Sequence, residues 1–457
     1  MQFNTYLFAC FFAIVLAVHN APLPWTAKKI ALLVFSYVFY AAWDPLFVVL
    51  LWGSTVVDWF VAKAMTRTPV PRRRKAFLGI SLGFNLGLLG YFKYAGFLAR
   101  TLGISWQPDV ILPIGISFYT FMTLSYTIDV YLGRAKPARS FLDYALYVTF
   151  FPHLVSGPIV RATELVPQFE SPRRANAAQL AWGLALVAIG LFQKVVLADA
   201  ILAPKVDKVY AASLVHVSTL DAWAATISFA GQIFCDFAGY STCAIGVALA
   251  LGFALPDNFR SPYAAIGFSD FWRRWHISLS SWLRDYLYIP LGGNRRGPAR
   301  TQLNLAITML LGGLWHGAAW TFVVWGALHG AYLVVERWLA ARYAPWRSAA
   351  GRFALALVTF ALVCIAWVFF RAPTFELAFR VVAAMFGFGT GHSHPGWWSA
   401  VPAVAALVAV HAILRDTTLE AAVARTPWPV RSAALAAAVV SLFVFSGADR
   451  AFIYFQF

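Results

Sequence analysis

Long apolar runs separated by short basic loops repeat along almost the whole chain. The first runs from Phe3 to Val18. Lys28 and Lys29 then precede Ile30 to Trp43, and Asp44-Pro45 breaks the pattern before Leu46 to Ala64. Phe77 to Leu98, Leu112 to Tyr131, Leu180 to Ala198, Ala222 to Leu251, Phe353 to Phe370, Val401 to Ile413 and Ala433 to Phe445 continue it. A hydrocarbon core ~30 Å thick takes about 20 helical residues to cross, and it offers unpaired backbone groups nothing to bond with. The pattern therefore predicts an all-α, polytopic membrane protein, with roughly ten to twelve spans on that length requirement. No polar run is long enough to fold alone and no internal repeat is visible. One membrane-embedded domain over residues 1–457 is expected.

Two stretches depart from this plan. Phe141 to Pro158 is short, interrupted by Pro152, Gly157 and Pro158, and basic on both flanks. It predicts a re-entrant or surface-lying piece, which is tolerated only when buried in protein or lining a cavity. The second stretch runs from Phe268 to Gly330. On a helical wheel Trp272, Trp275, Leu279, Trp282, Leu283 and Tyr286 fall in one arc, and Asp270, Arg273, Arg274, Ser278, Ser281, Arg284 and Asp285 take the other side. That predicts one amphipathic helix in a membrane interface, with His276 at the edge of the aromatic arc and turned inward. Beyond it, the apolar run Leu303 to Leu314 is about a dozen residues, short of the ~20 a span needs, so this helix is expected to stop before the far side. At ~1.5 Å per residue, His316 then lies ~24 Å from Arg300, deep in the core.

An ionisable side chain at that depth is costly and defaults to a functional role. The glycines around His316, in GGLWHG, permit close approach of backbone or ligand. Ser228, Gln232, Asp236 and Tyr240, each four apart, form a single polar stripe on their helix. The stripe is either a hydrogen-bonded packing seam or the lining of a cavity. His392 and His394 have no further metal ligand near them in the sequence and read as a loop, so no metal site is expected.

Composition agrees with a membrane protein: 61% of residues are hydrophobic and only 12% charged. The net charge of +17 lies in loops between apolar runs, which argues for orientation by cytoplasmic positive charge and against nucleic-acid binding. With the loops Arg72 to Lys75, Arg173 to Arg174 and Arg337 to Arg352 cytoplasmic, both termini are expected outside the inner membrane. Cys10, Cys235, Cys243 and Cys364 lie in apolar runs without a CxxC pair, so neither a disulfide framework nor structural zinc is expected. The first run lacks a basic n-region and a small-residue cleavage site, and reads as a retained span.

The segments FWRRWHISLSSWLRDYLYIPLGG, GGLWHGAAW, FFPHLVSGPIVR and the terminal FIYFQF resemble the bacterial branch of the membrane-bound O-acyltransferase family. The likeness runs nearly the whole length and is strongest to members that acetylate alginate and related polymers. It implies that His316 is catalytic and His276 its partner. It also implies interfacial and re-entrant helices around a buried central cavity, lined by Gln232, Asp236 and Tyr240. The aromatic tail is expected to be either an interfacial anchor or, as the resemblance implies, the carrier of an acyl relay at Tyr454. The donor implied is a cytoplasmic thioester, acetyl-CoA or an acyl carrier protein, with no bound cofactor. The implied partners are that donor, membrane lipids and extracytoplasmic polysaccharide-modifying proteins. Peptidoglycan acetylation and D-alanyl transfer to teichoic acid are the neighbouring activities. From another class, a transporter with a His/Asp path remains the alternative, although paired halves with broken helices are missing.

Overall fold

A computed structural model describes residues 1–106, 108, 110–211, 216–340, 348–393, 395–445, 450 and 452–453. Every secondary-structure element among them is helical. The chain divides into two compact units, one of residues 1–188 and 240–257 and the other of residues 189–239 and 258–457.

The first unit begins with α1 (Tyr6–Asn20), α2 (Trp25–Ala41), α3 (Phe47–Arg67), α4 (Pro71–Leu89), α5 (Ile116–Tyr131) and α6 (Phe141–Thr149). α3, α4 and α5 pack together. Between them the Asn85 amide donates to Asp58 Oδ2 at 2.8 Å and accepts from Ser54 Oγ at 2.6 Å and Thr123 Oγ1 at 3.2 Å. Polar side chains inside an apolar bundle are tolerated when bonded to one another in this way. The Phe141 to Pro158 stretch is broken as expected: α6 is followed by a single turn, Phe151–Leu154, and every residue from Leu146 to Val160 is buried. The irregular backbone is thus enclosed by protein.

Two long helices have residues in both units. Helix α7 spans Ala177–Val209, with a π-helical stretch over Phe192–Leu202, and α8 spans Thr219–Ala250. Within the first unit they meet at Gly183 and Gly246, where a Cβ on Gly183 would stand 2.7 Å from the Gly246 carbonyl oxygen. Along with α3, α4 with its extension to Thr101, and a later helix over Ala349–Arg371, they make five helices long and apolar enough to cross a membrane among the described residues.

The second unit adds α9 (Phe268–Arg274), α10 (Ile277–Leu283), α11 (Gly297–His316), α12 (Trp320–Ala340), α13 (Ala349–Arg371), α14 (Val401–Ile413) and α15 (Trp428–Val444). Two expectations are corrected here. The stretch from Phe268 is not one amphipathic helix: it breaks at Trp275-His276 into α9 and α10, and Ser278, assigned to the polar face, is buried. Nor is α11 a dozen residues long. It begins at Gly297, so its 20 residues reach about 30 Å. Gly297 to Gln302 extend the helix ahead of the apolar run, and Thr301, Asn304 and Thr308 along it are buried. The Thr301 and Thr308 hydroxyls bond back to carbonyls one turn earlier, and the Asn304 amide donates to the Gly293 carbonyl.

Candidate active site

His316 is the last residue of α11, and the glycines around it set its position. A Cβ on Gly313 would overlap the Phe322 carbonyl oxygen, and one on Gly326 would overlap that of Met309. The α11–α12 hairpin therefore closes backbone against backbone. After His316, a Cβ on Gly317 would overlap the Phe322 ring. Only glycine lets the chain turn there with the imidazole held at the end of the helix.

His276 takes φ 44 and ψ 54, the left-handed region that costs an L-residue about 1–2 kcal/mol. Neighbouring backbone enforces it. The Arg260 N–H donates to the Arg274 carbonyl and the Ile277 N–H to the Asn258 carbonyl, both at 2.9 Å. The side-chain oxygen of Asn258 accepts from the Ser278 hydroxyl at 2.9 Å and the Ser278 N–H at 3.3 Å. Residues 258–260 thus run along 274–278 and fix the break. At α9, the N-terminal N–H groups of Phe268 and Ser269 are capped by Glu336 of α12.

These two turns bring the histidines together. Their ring centroids are 6.2 Å apart, with relative exposures of 0% for His276 and 3% for His316. Trp325, Trp315 and Phe370 lie 5.0, 5.1 and 5.4 Å from His316. Phe237 meets His276 edge-on at 4.6 Å. The result is a pair of basic side chains in a setting of aromatic rings, where charge is little screened.

The polar side of α9 and α10 borders an open cavity of roughly 730 Å³ lined by Arg260, Arg273, Arg274, Arg284 and Arg415 among others. Asp270 organises this wall, accepting from Arg274 Nε at 2.9 Å and Arg415 Nη2 at 2.8 Å. Burial alone would push the Asp270 carboxyl up, but the Ile266 N–H and the two guanidinium groups hold it below its ordinary value. Arg273 makes no ion pair among the described residues and leaves its charge to the cavity.

The stripe residues share the continuous helix α8 and all four are buried. Ser228, Gln232 and Asp236 are buried in the second unit, while Tyr240 is in the first, its ring 4.5 Å from that of Phe3. Asp236 is ion-paired to Lys194, which also reaches Asp199 Oδ1 at 3.0 Å. Lys194 and Asp199 were missed because Lys194 sits inside the run Leu180 to Ala198, read only as a span, and Asp199 directly follows it; two opposite charges five residues apart were the available signal. His329 was also missed. It is fully buried, ringed by Phe271, Trp272, Trp325 and Tyr332, and reads as part of the aromatic core. Tyr454 and His394 lie outside the described residues, as do residues 341–347 of the basic loop. Just before Tyr454, Phe452 and Ile453 are buried, and the Phe452 ring stands 5.7 Å from Phe237.

A family model described as MBOAT, membrane-bound O-acyltransferase family, matches residues 134–378. A probable alginate O-acetylase AlgI of Pseudomonas putida is 44% identical over 375 residues, covering 79% of this chain and 75% of that one. A peptidoglycan O-acetyltransferase of Helicobacter pylori is 38% identical over 395 residues, covering 79% and 74%. A teichoic acid D-alanyltransferase of Bacillus subtilis is 28% identical over 282 residues, covering 59% and 71%.

Proposed function

Because this chain belongs to the membrane-bound O-acyltransferase family, we propose that it carries acetyl groups from a cytoplasmic thioester to the hydroxyls of an extracytoplasmic polysaccharide. It is an integral membrane O-acetyltransferase. An alginate-like polymer is the substrate class the reading favours, since the alginate O-acetylases match over more of the chain and at higher identity than the teichoic acid enzyme. Peptidoglycan is the second reading, supported by the Helicobacter pylori relative.

The observation that carries the chemistry is the buried pair His316 and His276, 6.2 Å apart in an aromatic setting. His316 acts as the general base. Its imidazole takes the proton of an acceptor hydroxyl as that oxygen attacks the thioester carbonyl. An imidazole suits this role near neutral pH. The carbon–sulfur bond then breaks, and the imidazolium returns the proton to the departing thiolate, leaving an oxygen ester and a free thiol. His276, its ring 6.2 Å from that of His316, orients the donor or steadies the developing charge. The arginine-lined cavity is the donor's entrance, where phosphates of coenzyme A or of a carrier protein's phosphopantetheine meet Arg273 and its neighbours. This puts that cavity on the cytoplasmic side and both termini outside, with polysaccharide-modifying partner proteins receiving the acetyl group there. Tyr454 serves as the intermediate acceptor: a phenolate leaves more readily than an alkoxide, so its acetyl ester passes on easily.

The test uses the full chain, purified in detergent, with radiolabelled acetyl-CoA, acetyl carrier protein and alginate oligomers. His316→Ala is expected to insert normally and lose transfer by at least ~10²-fold, the lower end for a removed general base. Near-normal transfer by a correctly inserted His316→Ala overturns the assignment. Tyr454→Phe keeps the ring and removes the hydroxyl; full polymer acetylation by that variant removes the relay and leaves direct transfer.

A further inference from the structure

The second unit holds a charge cluster that this chemistry does not use. Lys194 and Asp199 come from the π-helical stretch of α7 and Asp236 from α8, and all three side chains are no more than 6% exposed. Buried ionic groups in a membrane span are rare and costly. Here two carboxylates face one ammonium, so one negative charge needs another donor. Asp236 Oδ2 finds it in the backbone N–H of Ile453, at 2.8 Å. The main-chain amide of Ile453 thus bonds one carboxylate of a cluster set inside long helices.

Two further contacts hold the same segment. Arg450 pairs with Asp207, which Arg371 also binds at 2.8 Å. Phe452 is buried against Phe237, and Phe237 presents its ring to His276. An ionic anchor, an aromatic anchor and a backbone anchor therefore fall on residues 450, 452 and 453, and one ring separates this segment from the histidine pair. A segment needed only to cover apolar surface has no use for a buried carboxylate bonded to its main chain.

We propose that the Lys194–Asp199–Asp236 cluster positions the C-terminal segment beside His276, with Asp236 the positioning residue for the acceptor side of the transfer. This rests on the acyltransferase reading above, and its test separates the two. Hydrogen exchange of the C-terminal peptide is measured on the full chain in detergent. The same samples are assayed for thioester hydrolysis, for transfer to alginate oligomers and for the donor KM. Ile453→Pro deletes the N–H and leaves the cluster intact, whereas Asp236→Ala removes the acceptor.

Each variant is expected to speed exchange of the C-terminal peptide by at least ~10-fold, the loss of one buried charge-assisted hydrogen bond. Transfer to polymer falls by a similar factor, while thioester hydrolysis and the donor KM stay near wild type. Unchanged exchange in Ile453→Pro overturns the anchor. Faster exchange with unchanged polymer transfer reduces the cluster to a packing anchor and overturns the positioning role. If Asp236→Ala fails to insert, Ile453→Pro alone decides. The exchange measurement stands whatever His316→Ala does, so a failure of the catalytic assignment is read separately.

Discussion

The α11–α12 crossing offers a sharp perturbation, Gly326→Ala. In most helices this change stabilises by roughly 0.5–1 kcal/mol, since alanine loses less backbone freedom on folding. At Gly326 the new methyl would overlap the Met309 carbonyl oxygen and lie 3.3 Å from the Gly313 Cα. No flexible side-chain end can move aside, so the two helices must part. Overpacking of this kind costs about 1–3 kcal/mol, which reverses the sign of the substitution. Gly313 lies one turn before His316, and Trp325, beside Gly326, forms a wall of the His316 setting at 5.0 Å. A displacement of about 1 Å remote from the chemistry costs on the order of 10²-fold in rate. Gly326→Ala is therefore expected to lower the melting temperature and cut transfer by about that factor, with the donor KM little changed. Gly83→Ala in α4 is the control. A Cβ there meets nothing within 4 Å, so that variant is expected to be neutral or slightly more stable with full activity. Thermal melting in detergent and initial rates of acetyl transfer decide the matter. Wild-type rate and melting in Gly326→Ala would refute the argument that backbone contact at this crossing places His316.

Three further outcomes follow from the site. His276→Ala should reduce turnover while the protein still inserts, and His276→Asn, a residue that tolerates left-handed backbone, should preserve stability better than alanine without restoring the rate; a change in expression alone would leave His276 a structural residue. Arg273→Ala should raise the donor KM by roughly ten-fold, the loss of one charged contact, with the rate at saturation nearly unchanged and the difference fading in high salt; an unaltered KM would detach the cavity from the donor. Asp270 is held below its ordinary value of 3.8, so its stabilising pairs with Arg274 and Arg415 are complete above that pH and are lost as pH falls through the lowered value. Asp270→Asn should accordingly flatten the loss of stability on the acid side of about pH 4, and a melting profile parallel to wild type there would contradict it.

Apolar run length along the chain determined the all-helical membrane class, and most helices start and end within a few residues of the runs. His316 stood out in the sequence by its glycine-flanked place in an apolar run and His276 by its place at the edge of the aromatic arc, and the fold sets their rings 6.2 Å apart. What local pattern could not supply was the conformation at His276. A wheel over residues 268–286 assumes an unbroken helix, and the break there is made by Asn258 and Arg260, which bond residues 274–278 from outside that segment. The start of α11 escaped for a related reason: the polar residues before Leu303 look like a loop until packing buries Thr301 and gives its hydroxyl a carbonyl partner. The charge cluster was the least legible feature. Its carboxylates and ammonium come from two helices, and the further donor to Asp236 is the main-chain N–H of Ile453. Hydropathy periodicity reports which face of an element is apolar, because burial acts through a residue's own side chain. It carries no information about which distant backbone group arrives to satisfy a buried charge, and only the tertiary structure decides that.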